Sequence, residues 1–332
     1  MDSSFPNTAF FHASPDWTDM EADAPHPQAQ SSLRWQRRLG LTPLREQGIR
    51  KLRLLGRVTN WLQNRNPPSV GSVTDGTIPG PDGDLPVRVY APDGAGPFPT
   101  LVFFHGGAYV LGGLASHDLL CRHLCRETDC VVMAVDYRLA PEHPFPAAVE
   151  DAYAATAWAA ANPDRLAGDG RLAVVGDSAG GTLAAVTALR AVEQDGPEID
   201  YQVLLYPGIG IEEDQPSVRD HAGKVLASED FEWIQSLYFE SEVDRRNPYA
   251  DPSNACDLSG VAPATVLTAG FDPLRDGGVT YAEQLRTDGV NVEHRNYDDM
   301  IHGFASQPDS IDRAHEAVAD VATDLDAAFA DA

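Results

Sequence analysis

The sequence predicts an α/β fold, a mostly parallel central sheet flanked by helices, with a helical cap. Three observations predict it. Short β-like runs recur from residue 70 onward, helical patterns fill the gaps between them, and several runs are apolar at every position. Alternation of strand and helix is the pattern of parallel sheets. Strands covered on both faces lose the two-residue alternation that a half-solvated strand keeps.

The elements follow in order. Residues 1–30 carry Asp, Ser, Pro and Ala, with no basic n-region and no apolar h-region. They read as a flexible acidic leader rather than a signal peptide. Residues 33–66 read as helical and hold nine of the 24 basic residues. Thr42 followed by Pro43 suits a helix start, and Leu55, Val58 and Leu62 fall on one face. The segment 31–68, closed by Pro67-Pro68, is expected to pack over an acidic body as the N-terminal part of the cap rather than to anchor in a membrane. Strands are expected at 87–90, 100–104, 131–135, 172–175, 203–206, 265–268 and 292–297. Helices are expected at 114–126, 147–161, 182–193 and 280–287. Near the end, Ile311, Ala314, Val318, Val321, Leu325 and Phe329 form one stripe, a helix that docks on the sheet. Between 209 and 250 the alternation lapses into acidic and aromatic residues (Phe231, Trp233, Tyr238, Phe239), where a cap insertion would sit. The body is then 69–208 and 251–332.

Composition narrows the partners. The 332 residues are 43% hydrophobic and carry 50 acidic against 24 basic side chains, a formal charge of −26, with Lys only at 51 and 224. Such a surface repels nucleic acid and anionic lipid, and no run approaches the ~20 apolar residues of a membrane span. A cytoplasmic protein is expected. At molar salt the Debye length falls to about 3 Å and the self-repulsion is screened. Few Lys stems also leave less flexible apolar surface, so the composition reads as adaptation to a high-salt cytoplasm, that of a halophile. Cys121, Cys125, Cys130 and Cys256 do not form a disulfide framework in so long a chain. No paired C-x-x-C or His ladder completes a zinc set, so buried thiols are the expectation, with no metal and no cofactor.

The chemistry-bearing signal is Gly176-Asp177-Ser178-Ala179-Gly180, which follows an apolar strand and opens an apolar helix. It is a G-x-S-x-G motif in the strand-to-helix setting that a nucleophilic serine requires. A serine hydroxyl needs a base to take its proton, and in such folds the acid and the His follow the Ser in that order. Of His221, His294, His302 and His315, only His302 lies in a loop just past a strand end. Asp272 follows the strand at 265–268 and precedes Pro273; its role would be to hold the imidazole tautomer. Asp276, Asp298 and Asp299 are the alternatives. Phe103-Phe104-His105-Gly106-Gly107-Ala108-Tyr109 follows another strand and supplies backbone N–H groups for an oxyanion. Gly106, Gly107 and Ala179 are the expected donors, with His105 holding the loop.

With these residues in view the chain resembles the hormone-sensitive-lipase-like esterases of the α/β-hydrolase superfamily, family IV, which carry an HGG-type oxyanion loop. Asp136-Tyr137-Arg138-Leu139-Ala140-Pro141-Glu142-His143-Pro144, Asp272-Pro273-Leu274-Arg275-Asp276 and Ile301-His302-Gly303-Phe304 carry the resemblance over roughly residues 70–325. It implies a cofactor-free carboxylesterase for short- to medium-chain acyl esters, with a cap built from the N-terminal helices and the insertion. Ala108 stands where many members have a third glycine, and Gly277 where an acidic residue is frequent. An amidase or deacetylase would use the same triad. A non-catalytic small-molecule receptor on this fold, as in plant hormone receptors, could dispense with the base. The expected partner is a small-molecule ester; monomer or homodimer stays open.

Overall fold

The structure is a computed structural model and describes residues 20–38, 44–63, 67–221 and 228–331. Eight strands form one sheet: β1 (Ser72–Gly80), β2 (Gly83–Ala91), β3 (Phe98–Phe104), β4 (Val131–Val135), β5 (Gly168–Asp177), β6 (Tyr201–Leu205), β7 (Ala264–Phe271) and β8 (Val292–Ile301). Their order is β1-β2-β4-β3-β5-β6-β7-β8. β2 is antiparallel to both β1 and β4; from β4 to β8 the pairs are parallel. The helices are α1 (Pro27–Arg38), α2 (Ile49–Gln63), α3 (Asp118–Thr128), α4 (Ala147–Ala161), α5 (Ala179–Glu193), α6 (Pro216–His221), α7 (Ser228–Tyr238), α8 (Glu242–Arg245), α9 (Arg275–Thr287) and α10 (Arg313–Asp331).

Alternate side chains of the central parallel strands feed two separate cores. Val102 and Phe104 join the layer under α4, α5 and α9, with Leu183, Leu189, Tyr281 and Leu285. Leu101 and Phe103 join the layer under α3 and α10, with Leu120, Leu124, Val318 and Leu325. The two-residue period of a strand sends neighbours to opposite faces, so a run apolar at every position fills both layers. The C-terminal stripe is buried throughout, as its spacing requires. Each fully buried Leu, Val or Phe contributes about 1.5–3 kcal/mol.

The structure adds to some readings of the chain and revises others. The edge strand β1 carries no apolar signature, because six of its residues from Ser72 to Thr77 are exposed. The stretch read as helical over 33–66 holds parts of two described helices, α1 and α2; Gly48, at φ +72°, turns the chain before α2. The proposed start at Thr42-Pro43 lies outside the described residues. On α2 the buried anchor is Leu52, whereas Val58 is half exposed. Finally, the leader boundary moves. α1 begins at Pro27, and residues 20–26 lie along the end of β8, with Ala22 N–H donating to Asp298 O at 3.0 Å and His26 N–H to Asp299 O at 2.8 Å. Asn296 Nδ2 donates to Met20 O at 2.8 Å, and Glu21 meets His221 Nε2 at 2.8 Å.

Register sets the site. Phe104 of β3 lies opposite Gly176 of β5, Asp177 opposite Leu205 of β6, Leu205 opposite Leu267 of β7, and Phe271 opposite Ile301 of β8. The loops holding His105, Ser178, Asp272 and His302 therefore leave the sheet at one edge, the carboxyl ends of its strands, where open α/β sheets bind ligands.

Candidate active site

Ser178 occupies the single residue between β5 and α5, with φ +55° and ψ −120°. A non-glycine residue there costs about 1–3 kcal/mol and persists only if its surroundings hold it. They do so through close backbone approach. A Cβ on Gly180 would lie 1.9 Å from Phe104 O, and one on Gly176 would lie 2.1 Å from Gly180 O. These two glycines are what let the turn close while the oxyanion loop presses against it.

The sequence-predicted triad is assembled. His302 Nε2 is 2.9 Å from Ser178 Oγ, and His302 Nδ1 is 2.7 Å from Asp272 Oδ2. An ionised carboxylate only accepts, so Nδ1 carries the proton and Nε2 is left to accept from the serine hydroxyl. Asp272 is fully buried and its other oxygen accepts the Leu274 N–H at 2.8 Å. Burial alone would disfavour the imidazolium of His302. The charge and hydrogen bond of Asp272, joined by the charge of Asp177, outweigh it and raise the pKa above the ordinary value. Tyr206 packs edge-on against the imidazole, ring centroids 5.1 Å apart.

The competing candidates are engaged elsewhere. His294 bonds Thr268 Oγ1 at 2.9 Å inside the sheet, and burial holds its pKa down to about 4. His315 lies edge-on to His123 at 4.7 Å, and His221 meets Glu21. Asp276 pairs with Arg275 at 2.8 Å and accepts the Ser217 N–H, while Asp299 faces Arg313 at 3.4 Å. Three of the four cysteines are buried, which pushes the thiols of Cys125 and Cys130 up to about 12. Gly277, where the resembled family often has an acidic residue, admits no side chain: its Cβ would lie 2.1 Å from Ile209 O.

The oxyanion loop needs one correction. Gly106 N–H already donates to Asp177 Oδ1 at 2.7 Å, so it is not free to meet an oxyanion. The N–H groups of Gly107, Ala108 and Ala179 have no hydrogen-bond partner among the described residues. Ala108, which was not among the expected donors, takes Gly106's place as the candidate donor. It and Tyr109 are both left-handed, at φ +54° and +62°. His105 secures the loop as expected. Its Nδ1–H donates to Gly106 O at 2.8 Å, its ring stacks on Tyr137 at 4.2 Å, and Tyr137 OH donates to His105 O at 2.7 Å. Burial beside His117 pushes its pKa down to about 3, so it stays neutral.

Asp177 was missed as more than a motif letter. Besides Gly106, it meets His117 Nε2 at 3.1 Å and accepts from Ser306 Oγ at 3.2 Å. Burial opposes its charge, but His117, the Gly106 N–H and His105 together lower its pKa below the usual range. One carboxylate thus joins the oxyanion loop, the nucleophile turn and the loop of His302.

A model of the α/β-hydrolase fold family matches residues 101–306, more than half of the chain. The chain belongs to the α/β-hydrolase family. Within that family several relatives are named as esterases, and one, at 33% identity, is a gibberellin receptor of Oryza sativa. The carboxylic ester hydrolase LipN of Mycobacterium tuberculosis is 48% identical over 240 residues, a match spanning 70% of this chain and 64% of LipN, just under two thirds of its length. Esterase LipI of the same organism is 42% identical, over 74% of this α/β-hydrolase chain and 78% of LipI. The solved structure of a hyperthermophilic esterase from Pyrobaculum calidifontis superposes with a TM-score of 0.84 at 39% identity, covering 90% of this chain and 97% of that one. These likenesses fit the hormone-sensitive-lipase-like resemblance of the sequence.

Proposed function

We propose that the chain is a carboxylesterase acting on short- to medium-chain acyl esters through an acyl-enzyme. Ser178 Oγ attacks the ester carbonyl carbon while His302 Nε2 takes the hydroxyl proton. The tetrahedral oxyanion accepts from the N–H groups of Gly107, Ala108 and Ala179. Collapse expels the alcohol, which leaves with the proton held on His302. A water then attacks the acyl-serine, gives a proton to His302, and the acid departs as Ser178 Oγ recovers that proton. Asp272 keeps the imidazole in the right tautomer and stabilises the imidazolium.

The observation that carries this reading is the continuous Ser178–His302–Asp272 chain at 2.9 and 2.7 Å beside unpartnered backbone donors. A receptor on this fold would have no use for a complete base. The names of the relatives favour esters over amides. Residues 31–68 and 209–250 are proposed to form the cap, supported by the Arg45 N–H, which donates to Asp230 Oδ1 of α7 at 3.0 Å. Among the described residues no helix is long and apolar enough to cross a membrane. We place the enzyme in a high-salt cytoplasm on its charge balance.

The test is hydrolysis of p-nitrophenyl butyrate. Ser178→Ala is expected to lose turnover by a factor on the order of 10⁶, and a fluorophosphonate is expected to label Ser178 alone. A Ser178→Ala protein keeping a tenth of the wild-type rate would falsify the assignment. Matched ester and amide analogues decide between esterase and amidase.

A further inference from the structure

α7 belongs to the segment 209–250, remote in sequence from the oxyanion loop, yet one of its side chains lies directly on that loop. The ring of Tyr238 stacks on Tyr109 with centroids 3.9 Å apart and planes 4° from parallel. Tyr238 is 2% exposed and is fixed from its other sides by Phe145, at 6.0 Å and near perpendicular, and by Phe239, at 4.8 Å. Its own carbonyl accepts the Phe145 N–H at 2.8 Å. Its hydroxyl has no hydrogen-bond partner among the described residues. A buried tyrosine usually finds a partner for its hydroxyl, so what this position uses is the aromatic face.

Tyr109 is the second of two successive left-handed, non-glycine residues, at φ +54° and +62°. Such backbone relaxes unless it is held. Polar bonds hold its carbonyl and the turn around it: Ala140 N–H donates to Tyr109 O at 3.0 Å, the Val110 and Leu111 N–H groups to Gly107 O at 3.1 and 2.8 Å, and Arg53 Nε to Val110 O at 3.0 Å. Among the described residues no polar bond holds the peptide N–H groups of 107 and 108. Gly106 is held before it by Asp177. Between these anchors the N–H groups of Gly107 and Ala108 have no partner, as an oxyanion hole requires.

We propose that Tyr238 is a positioning residue for the oxyanion hole: stacked on Tyr109, it keeps the left-handed backbone at 108–109 and so aims the free donors of Gly107 and Ala108. Seating of α7 and formation of the oxyanion hole are then one event, and a displaced α7 leaves the triad intact but the hole unformed. This rests on the esterase reading above.

The experiment compares wild type, Tyr238→Phe, Tyr238→Leu and Tyr238→Ala in steady-state hydrolysis of p-nitrophenyl butyrate, with thermal melting of each. Tyr238→Phe keeps the face and is expected to stay within about twofold of wild type, since the lost hydroxyl bonds nothing. Tyr238→Ala is expected to lose roughly 10–100-fold in kcat with little change in KM, part of the ~10²–10³ that one lost oxyanion donor costs. Tyr238→Leu keeps bulk without an aromatic face, guards against unfolding of the Ala variant, and is expected to lose at least about threefold in kcat. Phosphonate inactivation of Ser178, which also needs the hole, is expected to slow in parallel with kcat. A folded Ala or Leu variant with wild-type kcat overturns the proposal. So does a rise in KM at constant kcat, the mark of a pocket wall. Wild-type protein inactive on every ester would instead sink the esterase reading.

Discussion

Asp177 ends β5 and Asp272 follows β7, two parallel strands separated by β6, and both carboxylates are buried at the same edge of the sheet. Both also favour the charged form of His302. Their hydrogen bonds divide the work. Asp272 spends its oxygens on the imidazole and on the Leu274 N–H two residues ahead, so it orients the base and its own loop. Asp177 reaches Gly106, His117 and Ser306, residues from three separate segments, and touches the imidazole with none of its bonds. Equal burial and equal charge therefore give one carboxylate that acts on the base and one that holds the loops around it. What separates them is the donors that each loop brings within reach.

The largest expected effect falls on the first. Asp272→Asn is expected to lower kcat about 10⁴-fold with the fold retained, because the amide stabilises the wrong tautomer. If Asp276→Asn or Asp299→Asn proves more damaging in the same assay, the division above is wrong. Asp177→Ala comes next. It strands the Gly106 N–H and loosens the oxyanion loop, so kcat is expected to fall about 10²-fold. Each buried polar group left unpaired costs ~1–3 kcal/mol, and a differential scan is expected to show a lower melting temperature. Unchanged kcat and melting temperature would make Asp177 a bystander.

Asp177→Asn sharpens the comparison, since it preserves an acceptor for Gly106 while it removes the charge and replaces the oxygen facing His117 and Ser306 with an N–H donor. Activity needs the neutral imidazole, and a raised pKa keeps His302 protonated to higher pH than an ordinary histidine. The acid limb of kcat/KM reports that group in the free enzyme. With one favouring charge gone, the limb is expected to move to lower pH, with a plateau loss within about tenfold because the hydrogen bond survives. A limb that stays in place or moves upward would contradict the electrostatic role. Salt is the mildest probe. Exposed charges are screened but buried ones much less so. Raising sodium or potassium chloride into the molar range is expected to raise the melting temperature and activity and to leave the acid limb nearly unmoved. A melting temperature already maximal in salt-free buffer would remove the high-salt reading and leave the esterase reading intact.

That Asp272, Ser178 and His302 meet was legible, because the chemistry proposed for them demands residue types in a fixed chain order at strand ends. Asp177 was not, since its partners lie 71, 60 and 129 residues away and no local pattern encodes them. Gly106 was misread for the same reason, as the engagement of an N–H depends on a side chain from another strand. The parallel strands β3 to β7 showed through their apolar runs, whereas β8 is mostly polar. β1 lies at the sheet edge, and of its apolar side chains Val73 is exposed and only Ile78 is buried.

The strap at residues 20–26 carries a consequence for how the chain reaches this state. Met20 is bonded to Asn296, 276 positions later, on the strand that leads into His302. Contacts so distant along the chain are slow to form, because closing the loop costs entropy before any bond rewards it. During synthesis the strap emerges long before β8, yet it has no surface to bind until β8 has joined the sheet. Residues made early are thus among the last to dock, and the loop carrying His302 acquires its final support only then.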